Sequence, residues 1–214
     1  MATRPVFLSF SEYTYVKRID TEFEFCPGFS MQQKKRSVSN LHNAWRRSKT
    51  EPILEVSRVS DSSIGRSLSA FNLPVILEDG RKSCVECLFQ GSKCFEKGGP
   101  YHDLYYGSPF DAKKDMRLRE SGRLTAFVTA EEKFPLDPQT YFYDWIYVNA
   151  LAQNKELHKE ILSYNAFTDI MFNPQKQINC QAEAVAIFAG LMRSGRLEYA
   201  IRDRHSFLKE VFGV

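Results

Sequence analysis

Hydrophobic and polar positions change period along the chain, and the changes mark its elements. Near the N-terminus, apolar, aromatic or β-branched residues gather in short runs, Pro5 to Phe10, Glu22 to Phe25 and Ile53 to Ser57, with polar stretches between them. That is the pattern of strands. Between the second and third runs, Val38, Leu41 and Trp45 recur at helical spacing and predict a helix over Ser30 to Ser48, packed by one apolar stripe. Asp61 to Phe71 reads as a short helix, and Leu73 to Leu77 as a strand entering the Asp79-Gly80 turn. Gly supplies the positive φ that a tight hairpin needs. From Gly80 to Phe95 the spacing is helical again. Ser83 and Glu86 stand at capping-box separation. Val85, Leu88, Ser92 and Phe95 share one side, and Glu86, Phe89, Gln90 and Lys93 share another.

Further on, Ser108, Pro109 and Asp111 have the chemistry of a helix start, and Gly122 that of its end. Arg123 to Thr129 is β-like, and Phe134 to Pro138 reads as an extended loop. The longest helical pattern runs from about Tyr141 to Leu162. Phe167 to Phe172 is short and β-rich, and Asn173-Pro174 breaks it. Ile178 to Met192 and Leu197 to Val211 follow as helices on either side of Ser194-Gly195. No βαβ succession occurs, so the expected fold class is α+β, helix-rich, with short N-terminal strands and a hairpin.

Composition narrows this picture. The 214 residues are 43% hydrophobic and 26% charged, enough for an ordinary core in one large domain or one domain with an appendage. The net charge of +3 says little, but its distribution says more. Lys34, Lys35, Arg36, Arg46, Arg47 and Lys49 occur with no acidic residue between them, as in a surface that tracks phosphates or in a solvated helix face. Five cysteines, an odd count, with no signal-peptide pattern in Met1 to Phe10, predict reduced thiols and a cytoplasmic protein. Cys84 and Cys87 form a C-x-x-C. A zinc site would need a second ligand pair, and only Cys94 and His102 are near, at unfamiliar spacing, so no metal is expected. No apolar run reaches transmembrane length.

Several chemistries are excluded. The chain has no dinucleotide fingerprint after a strand, no Walker lysine motif, no H-E-x-x-H and no G-x-S-x-G. His42, His102, His158 and His205 lie in unrelated contexts, which argues against a His-based triad. What remains is a set of carboxylates, amides and a lysine. Glu86, Gln90 and Lys93 on one helix face could hold and attack a polar substrate. A capping Glu86 beside a solvated Gln90 and Lys93 fits the same pattern.

The order of these residues resembles a known family. Ser69-Ala70-Phe71-Asn72, a strand, the Asp79-Gly80 turn, then Glu86-x-x-Phe89-Gln90-x-x-Lys93-x-Phe95 are similar to the F-S-N-F, strand, D-G and E-H-Y-F-Q-A-Q-K-F succession of the NADAR superfamily. Ser108-Pro109-x-x-Ala112-Lys113, Asp144-Trp145, Ala150-Leu151-x-Gln153-Asn154-x-x-Leu157, Asp169 and Ile178-Asn179-x-Gln181-Ala182 continue the resemblance in order. Cys87-Leu88 stands where the family often has His-Tyr, and Met171-Phe172-Asn173-Pro174 replaces its W-G pair and Gly-rich loop. The whole chain further resembles the DarT-associated antitoxin group in Arg4-Pro5-Val6-Phe7, Gly28-Phe29-Ser30, Leu68 to Leu73, Gly91-Ser92-Lys93 and Phe167-Thr168-Asp169-Ile170.

The resemblance implies a YbiA/NADAR-like single domain over 1–214, with 1–60 as an extension packed on a 61–214 core. It implies an N-glycosidase that removes ADP-ribose from guanine bases of DNA, as antitoxin to a DarT-type toxin, with no cofactor. Its partners would be ADP-ribosylated DNA and the cognate toxin, and no membrane. Glu86, Lys93 and Asp169 would be catalytic. Asn72, Phe89, Gln90, Lys113, Trp145 and Asn179 would bind substrate; the acid-free basic run, apart from the resemblance, favours nucleic-acid contact through Lys34, Lys35, Arg46 and Arg47. Plainer roles stand beside these: Asn72 as a helix C-cap, Trp145 as core and Lys113 as a solvated lysine. Glu86 could stabilise charge on the ribose, or Lys93 could attack the anomeric carbon and hold the opened sugar as a Schiff base. On one helix the two would lie about 10 Å apart along the axis. The competing functions are a small-molecule N-glycosidase acting on phosphorylated riboflavin-pathway intermediates and a non-catalytic ADP-ribose-binding module.

Overall fold

The structure is a computed structural model that describes residues 1–129 and 132–214. Strands β1 (Ala2–Ser9) and β2 (Val16–Phe23) are followed by helix α1 (Met31–Arg46), β3 (Ile53–Glu55) and α2 (Ser63–Ser67). Then come β4 (Pro74–Ile76), β5 (Lys82–Cys84), α3 (Val85–Gly91) and β6 (Lys93–Phe95). A 3-10 turn (His102–Tyr106) leads to α4 (Pro109–Lys114), α5 (Arg117–Glu120), β7 (Leu124–Thr129) and β8 (Glu132–Phe134). The chain continues through α6 (Tyr141–Gln153), α7 (His158–Ile161), β9 (Ala166–Thr168), α8 (Gln181–Arg193), α9 (Leu197–Ala200) and α10 (Arg204–Phe207). This is the α+β class that the sequence predicts.

Two compact units divide the chain, one of Met1–Ser69 with Lys155–Val214 and one of Ala70–Asn154. The first is built on a four-stranded sheet in the order β2-β1-β9-β3. Its strands pair antiparallel except β3 with β9. Val38, Leu41 and Trp45, the apolar stripe of α1, pack with Val6, Leu8, Phe23, Ile53 and Ala166 of the sheet. Ser30 and Gln33 cap α1 reciprocally, as a capping box does. Strand β2 starts well before Glu22. It lies at the sheet edge, and its exposed Lys17, Arg18 and Asp20 read as loop in the sequence.

The second unit carries the stretch around Glu86. Strands β4 and β5 form the predicted hairpin, with Gly80 at φ +79 in its turn. Helix α3 follows directly and stops at Gly91, not at Phe95 as the spacing predicts. The Tyr101 N–H donates to the Gly91 carbonyl at 2.7 Å, and the Val128 N–H donates to the Ser92 carbonyl at 2.7 Å. These bonds draw the chain out of the helix and into β6, which pairs antiparallel with β7 as β7 does with β8. Beyond it, the helix predicted from Ser108 to Gly122 is split at Asp115, whose carboxylate accepts the Arg117 N–H at 2.9 Å. Helix α6 ends at Gln153 because the Asn154 amide donates to the Ala150 carbonyl at 2.7 Å and to the Pro74 carbonyl at 3.0 Å. The sequence-predicted run to Leu162 crosses that break.

A close approach fixes the end of α3. A Cβ built on Gly91 would sit 2.6 Å from the Tyr105 ring and 2.8 Å from the Tyr101 carbonyl. Gly91→Ala should therefore force the helix end off Tyr105 and destabilise the protein by about 1 to 3 kcal/mol, read as a lowered denaturation midpoint with unchanged m-value.

Candidate active site

Helix α3 presents an unusual set of buried polar groups. Glu86 is 5% exposed and Gln90 6% exposed, on a helix whose seven residues are all buried. Burying a carboxylate is costly unless donors reach it. Two do. The Gln90 Nε2 donates to Glu86 Oε1 at 2.9 Å, and the Lys113 Nζ lies 3.4 Å from the same oxygen. Glu86 does not cap the helix. The cap is Cys84, whose sulfur accepts the Cys87 N–H, while the Ser83 hydroxyl donates to the Tyr105 carbonyl at 2.7 Å.

Lys93 opens β6, yet the change of direction at Ser92 brings its amine back to the helix. Its Nζ donates to Gln90 Oε1 at 2.7 Å and stands 4.6 Å from the centre of the Phe89 ring. The Gln90 amide therefore has one orientation that satisfies both neighbours, oxygen to the ammonium and NH₂ to the carboxylate. Burial lowers the Lys93 pKa to about 8; the charge of Glu86 pulls it up and that of Lys113 pushes it down. An amine that is partly neutral near physiological pH can act as a nucleophile.

The other expected residues fall in different settings. Phe89 is buried and stacks on Phe127 at 5.4 Å and Phe142 at 6.3 Å, with Tyr143 edge-on at 5.1 Å, so it backs the site as core. Lys113, half-exposed on α4, also lies 5.1 Å from the centre of the Phe71 ring. Asn72 is exposed in the turn before β4. Trp145 is half-buried on α6, its ring 6.4 Å from Phe134. Asp169 and Asn179 belong to the other unit. Asp169 is buried there and accepts the Met171 N–H at 2.9 Å, and Asn179 lies two residues ahead of α8.

The basic residues of α1 do not form one cluster. At 100° per residue, Lys35 and Arg46 share a flank about 16 Å apart along the axis, while Arg47, the C-cap residue, is turned about 100° from Arg46. Lys35 is paired with Asp61 at 2.7 Å, and Lys34 is half-buried in line with the apolar stripe, at its N-terminal end. Among the described residues no three or more His, Cys, Asp or Glu side chains gather as a metal-binding group, and no helix is long and apolar enough to cross a membrane.

Two buried acids, Glu55 and Asp144, were given no role in the sequence. Glu55, inside an apolar strand, is 2% exposed and accepts from the Ser57 hydroxyl at 2.6 Å, the Thr168 hydroxyl at 2.7 Å and the Ile170 N–H at 2.9 Å. Burial, reinforced by the charge of Asp169, raises its pKa to about 8. The Thr168 oxygen is also 2.9 Å from His42 Nε2, and burial followed by the Arg46 charge lowers the His42 pKa to about 4. His42 is thus neutral, and its Nε2 shares a hydrogen bond with the Thr168 hydroxyl. The available signal was a carboxylate within the apolar run Ile53 to Ser57, a pattern that an outward-facing strand position shows as well.

A family model matches residues 2–213, nearly the whole chain, and makes this a NADAR protein. Within that class, the chain belongs to the DarT1-associated NADAR antitoxin family. No curated protein matches it.

The electrostatics of the site can be tested without a substrate. Acylation of Lys93, followed by peptide mass across pH, should show a midpoint near 8. Glu86→Gln removes an attraction for the ammonium and should move the midpoint down. Lys113→Gln removes a repulsion and should move it up. A midpoint at the usual lysine value of about 10.4 would show that burial does not act on this amine.

Proposed function

We propose that the protein is an N-glycosidase that removes ADP-ribose from guanine bases of DNA and so reverses the modification made by a DarT-type toxin. The observation that carries this reading is the Lys93 amine, lowered in pKa and held through Gln90 beside the buried Glu86. Membership of an antitoxin family supports the biological direction.

The chemistry follows from those groups. The neutral Lys93 Nζ attacks the anomeric carbon of the ribose, and the C1–N bond to the base breaks, its electron pair leaving with the guanine nitrogen, which takes a proton. The ring oxygen then departs as a hydroxyl, leaving an imine between Lys93 and the opened sugar. Water adds to the imine carbon, ADP-ribose leaves as the aldehyde, and the free amine is restored. Glu86 stabilises positive charge on the ribose as the C1–N bond stretches. Lys113, half-exposed beside Glu86, suits a pyrophosphate oxygen. A ligand anion there would also draw Lys113 from the carboxylate. Asp169 and Asn179 enter the proposal on family resemblance, as second acid and polar contact, and Asn72 and Trp145 as ribose and base contacts.

Activity on ADP-ribosylated DNA oligonucleotides, followed as free ADP-ribose, tests the reading. Glu86→Gln should fold normally, since its oxygen still accepts from Gln90, and lose at least about 100-fold in turnover. Lys93→Arg keeps the charge but cannot form the imine, so it should not turn over. Near-normal rates in either variant would sink the assignment.

The α1 residues belong to the DNA part of the proposal. Replacing Lys34, Lys35, Arg46 and Arg47 by Ala should weaken action on modified DNA and flatten its salt dependence, by roughly one unit of log–log slope for each phosphate left without its cation. A modified mononucleoside should be cleaved as before. Equal loss on both substrates would place these residues in folding or in the ADP-ribose pocket.

A further inference from the structure

Two cysteines flank Glu86, and the hydrolase reading uses neither. Cys84 ends β5 in extended conformation, φ −132 and ψ 163, and its side chain folds over the first turn of α3 to accept the Cys87 N–H at 3.5 Å. Cys87 is the third residue of that helix, the position an N-cap side chain reaches. Both are free thiols, and their exposures differ: Cys84 is half-buried, whereas Cys87 is 1% exposed. Leu104, Ala112, Tyr101 and Leu118 pack around the pair. Cys26, Cys94 and Cys180 lie apart in the chain, before α1, on β6 and before α8.

We propose that Cys84 and Cys87 form a reversible dithiol–disulfide site, oxidised by a hydroperoxide. The reachable thiol meets the oxidant and the buried one resolves it. The Cys84 thiolate attacks the O–O bond, takes one oxygen as a sulfenic acid, and the remaining oxygen leaves, protonated, as an alcohol or as water. The Cys87 sulfur then attacks the Cys84 sulfur; the sulfenic hydroxyl and the Cys87 proton leave together as water. Two electrons pass from the thiols to the peroxide, and a dithiol donor restores both thiols by exchange.

The local electrostatics support this order of events. The Cys87 thiol lowers the Cys84 pKa by donating to its sulfur, and the Cys87 and Glu86 N–H groups add to that effect against burial and the Glu86 charge. The same hydrogen bond, then burial, raises the Cys87 pKa. The Cys87 sulfur also lies 3.4 Å from the Gly107 carbonyl, an acceptor for its proton outside the pair. The bridge would tie together the residues on both sides of Glu86. It stands independently of the hydrolase reading, because its readout is mass and not turnover.

The test treats the full chain with hydrogen peroxide, blocks remaining thiols and maps tryptic peptides. The peptide from Ser83 to Lys93 holds both cysteines. It should lose the mass of two hydrogens, regain it with dithiothreitol, and behave alike in Cys94→Ser. Cys84→Ser keeps a capping oxygen and should fold, but form no bridge. Cys87→Ser should stop at the Cys84 sulfenic acid, trapped by dimedone. A bridge to Cys94, irreversible oxidation of Cys84 without a bridge, or two unreacted thiols in excess peroxide would each overturn the proposal.

Discussion

A buried carboxylate needs donors and a buried ammonium needs an acceptor, and the Gln90 side chain supplies one of each from a single amide. Its NH₂ reaches Glu86 at 2.9 Å and its oxygen reaches Lys93 at 2.7 Å. Without that bridge, Glu86 would depend on a half-exposed Lys113 at 3.4 Å. Among the described residues, Lys93 would keep the Phe89 ring face, 4.6 Å away, and the more distant charge of Glu86. Direct contact of Glu86 with Lys93 would instead hold the amine charged, because a close opposite charge raises its pKa. An intervening amide orients both groups and leaves burial as the dominant influence on the amine. The pair is held ready and is not neutralised.

The scaffold is arranged so that this geometry has little freedom. Phe89 is clamped by Phe127, Phe142 and Tyr143, which fixes the rotation of α3 about its axis. The close contact of Gly91 with Tyr105 fixes where the helix ends. Ser92 adds to this, donating to the Leu88 carbonyl at 2.7 Å while the Tyr105 hydroxyl lies 2.7 Å from its oxygen. Lys93 is thus held by a turn and a strand, the kind of rigid support a reacting group needs.

Local chemistry made much of this legible in the sequence. Helix α1 was visible in the spacing of Val38, Leu41 and Trp45, the hairpin as Asp79-Gly80, and the α4 start as Ser108-Pro109. Each is decided by residues within a few positions of one another. The failures came where distant partners decide. Ser92 and Phe95 continue a helical stripe, but bonds from Tyr101 and Val128 end the helix earlier. The capping role open to Glu86 was lost to Cys84, because Ser83 is engaged by Tyr105. Family resemblance singled out Glu86, Gln90 and Lys93, while periodicity alone left them as readily a solvated face. The role of Gln90 between the other two depends on the turn at Ser92, which no spacing rule contains. Glu55 went unread because its partners Thr168 and Ile170 lie more than a hundred residues away.

Covalent chemistry at Lys93 is the claim on which the account turns, and trapping it is the most direct measurement. Borohydride added during turnover of ADP-ribosylated DNA reduces an imine to a stable amine, so the opened sugar stays on the lysine that formed it. The predicted result is an ADP-ribose-sized mass on the peptide containing Lys93, absent when borohydride is omitted and absent in Lys93→Arg. Free ADP-ribose released at full rate with no adduct would contradict it and make attack by water, directed by Glu86, the mechanism. An adduct on Lys113 or Lys34 would contradict the choice of nucleophile.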